Sequence, residues 1–393
     1  MAAGAEPLAS PDGTNVGHLY VHLPFCSHRC GYCDFVTVVG REEQHGAYVD
    51  ALLIELERER GALADDLVTA FVGGGTPSFT DPDALRRVLA ALPTAAEISV
   101  EANPETVTPE LAALLREGGM TRVSLGAQTF APRLLEVLER VASPDDVRRA
   151  FHTLRDASFD NISLDLIYGI PGQEPADLDH DLAEALALAP DHLSLYELEA
   201  KPGTRFTHAW GAELERQSEA MEGYFERVVE TLTSAGYRWY ETANFCLTGA
   251  RAGGRDLRSH HNLGTWHGRD YLGVGIGAVS TLGHQRRRTG ASIGRYIGAL
   301  LDRSAAVGAT DPPREVEQLD AVTKAQERVM LGLRLDEPLP LAGLEGVVDR
   351  DALERMVVGG LAVAETGPAG EETLTLTSRG RFLGDAVTAE LLV

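Results

Sequence analysis

Short apolar, β-branched runs alternate with longer stretches of helical spacing through the first half of the chain. Leu19 to Leu23, Ala70 to Gly73, Ile98 to Glu101, Val123 to Ala127, Ile162 to Ile167 and Leu193 to Leu198 each read as a buried strand. Tyr48, Leu52, Leu53 and Leu56 after the first run, and Leu178, Leu182 and Leu186 after the fifth, recur every three or four positions, as one face of a helix does. This alternation predicts a parallel sheet of βα units, with chemistry in the loops at the carboxyl ends of the strands. Six units are too few to close an eight-stranded barrel. The expected fold class is therefore α/β, a partial (βα)6 barrel over residues 17–200.

Beyond 201 the pattern changes. Ser218 to Leu232 predicts an amphipathic helix, Tyr237 to Ala243 a strand, and Tyr271 to Leu282 a further strand-like run, in which GVGIGA at 273–278 reads as a closely packed buried strand. Together 201–310 predicts an α+β extension covering the open side of the barrel. After the linker-like ATDPPRE, residues 311–393 predict a small helical, winged-helix-like domain with a late hairpin around Leu374 to Leu376. Residues 1–16 have neither the basic nor the apolar region of a secretory signal and predict a mobile tail. No run reaches the roughly 18 apolar residues of a membrane helix, and the expected location is cytoplasmic.

Charge narrows the partners. The 35 Lys and Arg against 59 Asp and Glu give a net −24, a field that repels polyanions and argues against nucleic acid. Even the winged-helix-like segment carries eight basic against sixteen acidic residues.

Four cysteines are too few for a disulfide framework, and three of them, Cys26, Cys30 and Cys33, share the stretch HLPFCSHRCGYCDF directly after the first strand. The spacing C-x3-C-x2-C puts three soft thiolates on one βα loop, suited to an iron–sulfur cluster or to zinc. Three ligands on a four-iron cube leave one iron open for chemistry. The alternatives are inert buried cysteines, or a zinc site completed by His22 or His28.

With Tyr32 before its last cysteine, this loop resembles that of the radical S-adenosylmethionine (SAM) enzymes, in which the open iron holds SAM and the cluster cleaves it reductively. Further stretches strengthen the likeness: VGGGTP at 72–77, VEANPE with Glu101, VSLGAQTF with Gln128, Arg140 in the next helix, and NISLDLIYGIPGQ with Asp165. They resemble the coproporphyrinogen-oxidase-like branch of that superfamily. The resemblance implies a [4Fe–4S] cluster on Cys26, Cys30 and Cys33, with Tyr20, Tyr32, Gly74, Gly75 and Thr76 beside it. It further implies that Glu101, Gln128, Arg140 and Asp165 complete a SAM pocket.

That branch holds two functional classes. Its oxidases carry a further cysteine two residues after the third ligand, where this chain has Phe35, and only 25 residues precede Cys26. The sequence therefore resembles the haem-chaperone class. This implies haem binding and transfer to recipient haem proteins, such as membrane-associated respiratory enzymes, without oxidase activity. The alternative is an oxidase-like enzyme that decarboxylates porphyrinogen propionates. SHHNLGTWHGRDYLGVGIGA resembles the class's HNxxYW haem motif at His261, Asn262 and Trp266, with Thr265 in place of the motif's Tyr. His260 and His267 are further candidate ligands, and Arg286 to Arg288 candidate partners for haem propionates or an anionic surface.

Overall fold

The computed structural model describes residues 15–199, 205–301 and 311–393; the expected tail at 1–16 lies almost wholly outside them. Six parallel strands lie side by side in chain order: β1 (His18–Leu23), β2 (Leu67–Gly74), β3 (Ala95–Ala102), β4 (Arg122–Gln128), β5 (Ile162–Tyr168) and β6 (His192–Glu197). Each coincides with one of the six apolar runs. Both faces of these strands are buried, which is why they read as near-continuous apolar stretches.

Helices on the outer face follow the first five strands, and several begin with proline. His45–Glu59 follows β1, Pro82–Ala91 follows β2, Pro109–Glu117 follows β3, Pro132–Val137 and Pro144–Asp156 follow β4, and Pro175–Leu188 follows β5. Proline at the first helical position forfeits an N–H that has no partner there anyway. Asp81 and Thr108 cap two of these helices, and Ser143 and Asp146 form a reciprocal capping box at a third. Each such cap is worth about 1 kcal/mol. Tyr48, Leu52, Leu56, Leu178 and Leu182 turn inward as their spacing predicts.

The extension lengthens this sheet at both edges. β7 (Tyr237–Glu241) and β8 (Asn244–Leu247) form a hairpin whose second strand runs antiparallel to β6, and β9 (Leu272–Val274) runs parallel to β1. The result is nine strands in the order β7-β8-β6-β5-β4-β3-β2-β1-β9. Three expectations are corrected here. The strand expected over 237–243 ends at Glu241, whose carboxylate accepts from the Ala243 N–H (2.9 Å) and tightens the hairpin turn. The run 271–282 is not continuous. Gly275 and Gly277 adopt φ of 101° and 70°, and a turn parts β9 from β10 (Val279–Leu282). GVGIGA is thus half strand and half turn, its N–H groups donating to Glu55 (2.8 Å) and to the Tyr48 hydroxyl (3.2 Å). The helix expected over 218–232 is Met221–Ser234, joined through a short 3-10 turn to Arg205–Gln217 before it.

β10, β11 (Gln285–Thr289) and β12 (Arg314–Gln318) form a separate antiparallel sheet, so the extension draws one strand from beyond residue 310. Two of the three arginines offered for haem propionates have acidic partners here: Arg286 meets Glu327 (2.7 Å) and Glu317 (3.4 Å), and Arg287 lies 4.0 Å from Glu59.

The C-terminal domain has its own apolar core, including Val329, Leu339, Leu353, Leu374 and Leu391. Four helices (Ala321–Gly332, Arg350–Val358, Ser378–Phe382 and Gly384–Leu391) pack around the strands β13 (Leu339–Pro340), β14 (Ala362–Thr366) and β15 (Glu372–Leu376), ordered β13-β15-β14. It is winged-helix-like, with the late hairpin where the sequence places it. Among the described residues, no helix is long and apolar enough to cross a membrane.

Candidate functional site

At the carboxyl end of β1 the chain makes a closed loop. The Cys26 N–H donates to Val38 (3.0 Å), and the Val38 N–H donates back to Pro24 (2.8 Å). Cys26 is buried, Cys30 and Cys33 half-buried, and all three line a cavity of about 690 Å3 inside the barrel. Burial pushes the Cys26 thiol up to about 11 and raises Cys33 as well. Cys246 is buried on β8 and does not line this cavity.

A chain of polar side chains links two of the thiols. Thr76 Oγ1 donates to Cys26 Sγ (3.4 Å), Asn103 Nδ2 to Thr76 Oγ1 (3.1 Å), Arg140 Nη2 to Asn103 Oδ1 (3.0 Å), and Arg140 Nη1 reaches Cys30 Sγ (3.7 Å). Arg140 lies in the turn after Pro132–Val137 rather than within a helix. Asn103 is a residue the sequence reading passed over, although it stands two positions after Glu101 in the same quoted stretch. Tyr32 packs against the apolar cluster of Leu134, Leu138 and Phe206 that supports the loop.

The zinc alternatives are filled otherwise. His22 is bonded at both nitrogens, to Val36 O (2.8 Å) and to the Tyr20 hydroxyl (3.1 Å), and His28 Nε2 is bonded to the Glu139 carbonyl. Among the described residues, no three His, Cys, Asp or Glu side chains converge on one point as a mononuclear zinc site requires. A cubane instead asks each thiolate for a different iron, and three thiols on one loop, with guanidinium and hydroxyl donors beside them, fit that group.

Glycine geometry shapes the next wall. Gly74 has φ 119° and its N–H donates to Glu101 Oε2 (3.0 Å), while a Cβ on Gly75 would stand 2.5 Å from the Pro24 carbonyl oxygen. A side chain at Gly75 would displace backbone, and one at Gly74 would meet the His22 ring in a backbone conformation that favours glycine. Burial pushes Glu101 up to about 7, although the Gly74 N–H partly offsets it. Gln128 sits at φ 66° on a register shift of β4, which turns its side chain toward the cavity at a cost in backbone strain. Asp165 accepts from Ser124 Oγ (2.8 Å) and Ser163 Oγ (3.1 Å), and burial raises its carboxyl. Tyr20, Thr76, Glu101, Gln128, Arg140 and Asp165 thus converge on the cavity with the cysteines.

The start of the His-rich stretch forms a short helix, His260–Trp266. Its first N–H groups, those of His260 and His261, donate to the buried Glu97 carboxylate (3.2 and 3.3 Å). An acid at a helix start is favoured by the orphan donors there. This helix lies beneath the barrel, so His261 and Asn262 line the same cavity as the cysteines. His261 Nδ1 is 2.9 Å from Thr69 Oγ1, which is 2.8 Å from His18 Nδ1, and the imidazole stacks on Phe71 with centroids 5.0 Å apart. Burial, with the nearby His18 and Arg122, pushes His261 down to about 3, so the ring is neutral.

Trp266 does not join them. Five residues on, it falls on another face of the helix, where the Arg334 guanidinium lies 4.5 Å from its ring. His260 and His267 also face elsewhere, toward Asp256 (3.6 Å) and Glu337 (2.9 Å), which corrects their candidacy as ligands. Thr265, one turn after His261, shares its stripe. Arg122 and Tyr196 line the cavity too and were not anticipated.

The chain is similar to known proteins. The radical SAM superfamily model matches residues 20–185. The heme chaperone HemW of Mycobacterium tuberculosis H37Rv is 37% identical over 386 residues, covering 95% of this chain and 94% of that protein. HemW of Bacillus subtilis 168 is 32% identical over 386 residues, covering 95% and 98%. Among solved structures, the radical SAM coproporphyrinogen III oxidase HemN of Escherichia coli superposes with a TM-score of 0.77, covering 96% of this chain and 90% of that one; at 21% identity this likeness shows the fold alone. Identity above 30% along nearly the whole of both chains shows that this chain belongs to the HemW family of haem chaperones within the radical SAM superfamily.

Proposed function

We propose that this chain is a cytoplasmic haem chaperone that holds a [4Fe–4S] cluster and SAM, binds haem, and passes it to recipient haem proteins such as respiratory enzymes. The observation that carries the reading is that His261 and Asn262 line the same cavity as Cys26, Cys30 and Cys33. When bound, a cluster with SAM on its open iron supplies one-electron chemistry. The protein's own residues hold and orient. Cys26, Cys30 and Cys33 supply thiolates, and Arg140 and Thr76 brace two of them. Gly74, Gly75, Glu101, Gln128 and Asp165 present hydrogen-bonding groups to SAM at and near the carboxyl ends of the strands.

His261 supplies the haem ligand. The Thr69 hydroxyl has one proton, so it donates to one imidazole and accepts from the other. With His261 Nδ1–H donating to Thr69, and Thr69 donating to His18, His261 Nε2 keeps its lone pair for iron. In this layout residues 17–200 hold the cluster and SAM, and the extension brings haem to them.

Anaerobic reconstitution tests the reading. The expected outcome is about four irons per chain, a Soret band on haem titration, and no conversion of coproporphyrinogen III. Stoichiometric zinc, or robust decarboxylation of coproporphyrinogen III, would overturn it. The exposed Phe35 at the cavity rim, where the oxidases carry another cysteine, favours the chaperone reading.

A further inference from the structure

Arg122 opens β4 and so stands at the amino-terminal end of the barrel, while Gln128 closes the same strand at the cluster end. Six strand steps at about 3.3 Å separate them by roughly 20 Å. Both line the one cavity, which therefore runs from the cluster loop to a floor. Arg122 is 2% exposed, and its Nη2 donates to His192 Nδ1 (3.3 Å). His192 is fixed in turn by Ser163 Oγ (2.9 Å) and the Tyr240 hydroxyl (2.8 Å). Arg122 Nε is buried without a partner, and among the described residues this guanidinium joins no ion pair.

A guanidinium stays charged in any protein setting, and a buried one is costly unless its N–H donors are filled. The Arg122 charge acts on the Asp165 and Glu101 carboxylates, but these accept their hydrogen bonds from Ser124, Ser163 and the Gly74 N–H, and neither makes a direct ion pair with the guanidinium. The residues expected to hold SAM cluster toward the opposite end, at Gly74, Gly75, Gln128 and Arg140. The floor thus pairs a neutral imidazole, His261, with a buried cation that has no direct ion pair and is held by a hydrogen-bonded frame.

We propose that Arg122 is an anion subsite that binds a carboxylate of the cavity's ligand; on the haem reading above, on which this rests, that carboxylate is a haem propionate. The alternative source of the same chemistry is the methionine carboxylate of SAM.

The test is a Soret titration of the reconstituted full chain with iron protoporphyrin IX and, separately, with its propionate dimethyl ester. The native chain should prefer the free acid by about tenfold or more, as a charge-assisted hydrogen bond implies. Arg122→Gln should lose that preference and keep its SAM affinity, while Arg122→Lys should retain part of the preference. Equal affinity of the native chain for acid and ester overturns the subsite and leaves the haem reading standing. Binding of neither overturns the haem reading and the subsite with it. A persisting acid preference in Arg122→Gln, with SAM affinity reduced instead, assigns the carboxylate to SAM and overturns the propionate assignment. Should Arg122→Gln fail to fold, Arg122→Lys decides: a reduced acid preference supports the subsite, and an undiminished one overturns it.

Discussion

At the mouth of the cavity, three cysteines within eight positions of sequence carry thiols that meet two side-chain donors, Thr76 and Arg140. At the floor, His18, Thr69, Arg122, His192 and His261 come from β1, β2, β4, β6 and the His260–Trp266 helix, and they are bonded in two preformed networks. The mouth is a loop that a metal cluster would organise; the floor is rigid before any ligand arrives. This division suits a protein that assembles one cofactor at one end and positions another ligand at the other. It also means that the two ends should fail independently.

The largest expected effect is at the mouth. Serine at Cys26, Cys30 or Cys33 should remove most of the iron and the broad visible absorption after reconstitution, and Cys246→Ala should leave both intact. Equal loss in Cys246→Ala would mean that a fourth cysteine fills the open iron, against the placement of Cys246 on β8 away from the cavity.

Next in size is Asp165→Ala, on the wall between the two ends. It should weaken SAM binding by about ten- to a hundredfold, from the loss of one or more charge-assisted hydrogen bonds, with iron content unchanged. Calorimetric titration with SAM beside an iron assay checks this. Parallel loss of iron would join the wall to the mouth and blur the division.

Thr265→Tyr addresses the floor. The position follows His261 by one helical turn and carries a half-buried threonine whose hydroxyl reaches the His261 carbonyl (3.4 Å). An added aromatic face should contribute about 0.5 to 1.5 kcal/mol and tighten haem by up to about tenfold. No change in the Soret titration would show that this stripe does not meet haem.

The smallest effect concerns how the floor helix is held. A hydrogen bond from His267, with the Arg258 charge, holds Glu337 down to about 2 against burial. Its folded-state value is depressed, so its contribution is present above the ordinary 4.5 and is lost as pH falls toward 2. Glu337→Gln should lower stability to urea by about 1 kcal/mol at pH 7, given its partial exposure. The difference should narrow below about pH 4.5. A constant difference down to pH 3 would remove the ion pair from the account.

The mouth was legible in the sequence and the floor largely was not, for a physical reason. Cysteine spacing on one loop, and polar residues on or near the ends of apolar runs, are local signals, so the six strands, the three thiols and the polar residues proposed to hold SAM come together at one cavity. Glu101 reaches the cavity from near the end of β3, and Tyr20 and Asp165 from the middle of β1 and β5. Arg122, Thr69 and His192 sit within or at the start of apolar runs, and only the lateral order of the strands brings them together. His261 was singled out by resemblance, but its burial under the barrel depends on Glu97, a residue on β3, holding the start of its helix. Trp266 was misplaced because a motif gives residue order, whereas a helix distributes neighbours around its axis.

The claim that mouth and floor belong to one haem-handling cavity is tested most directly by titrating haem into the reconstituted chain beside its His261→Ala form, with iron and SAM binding measured on both. The account predicts a Soret band in the native chain that is lost or strongly weakened in His261→Ala, while iron content and SAM affinity stay the same. An unchanged Soret band in His261→Ala would contradict it.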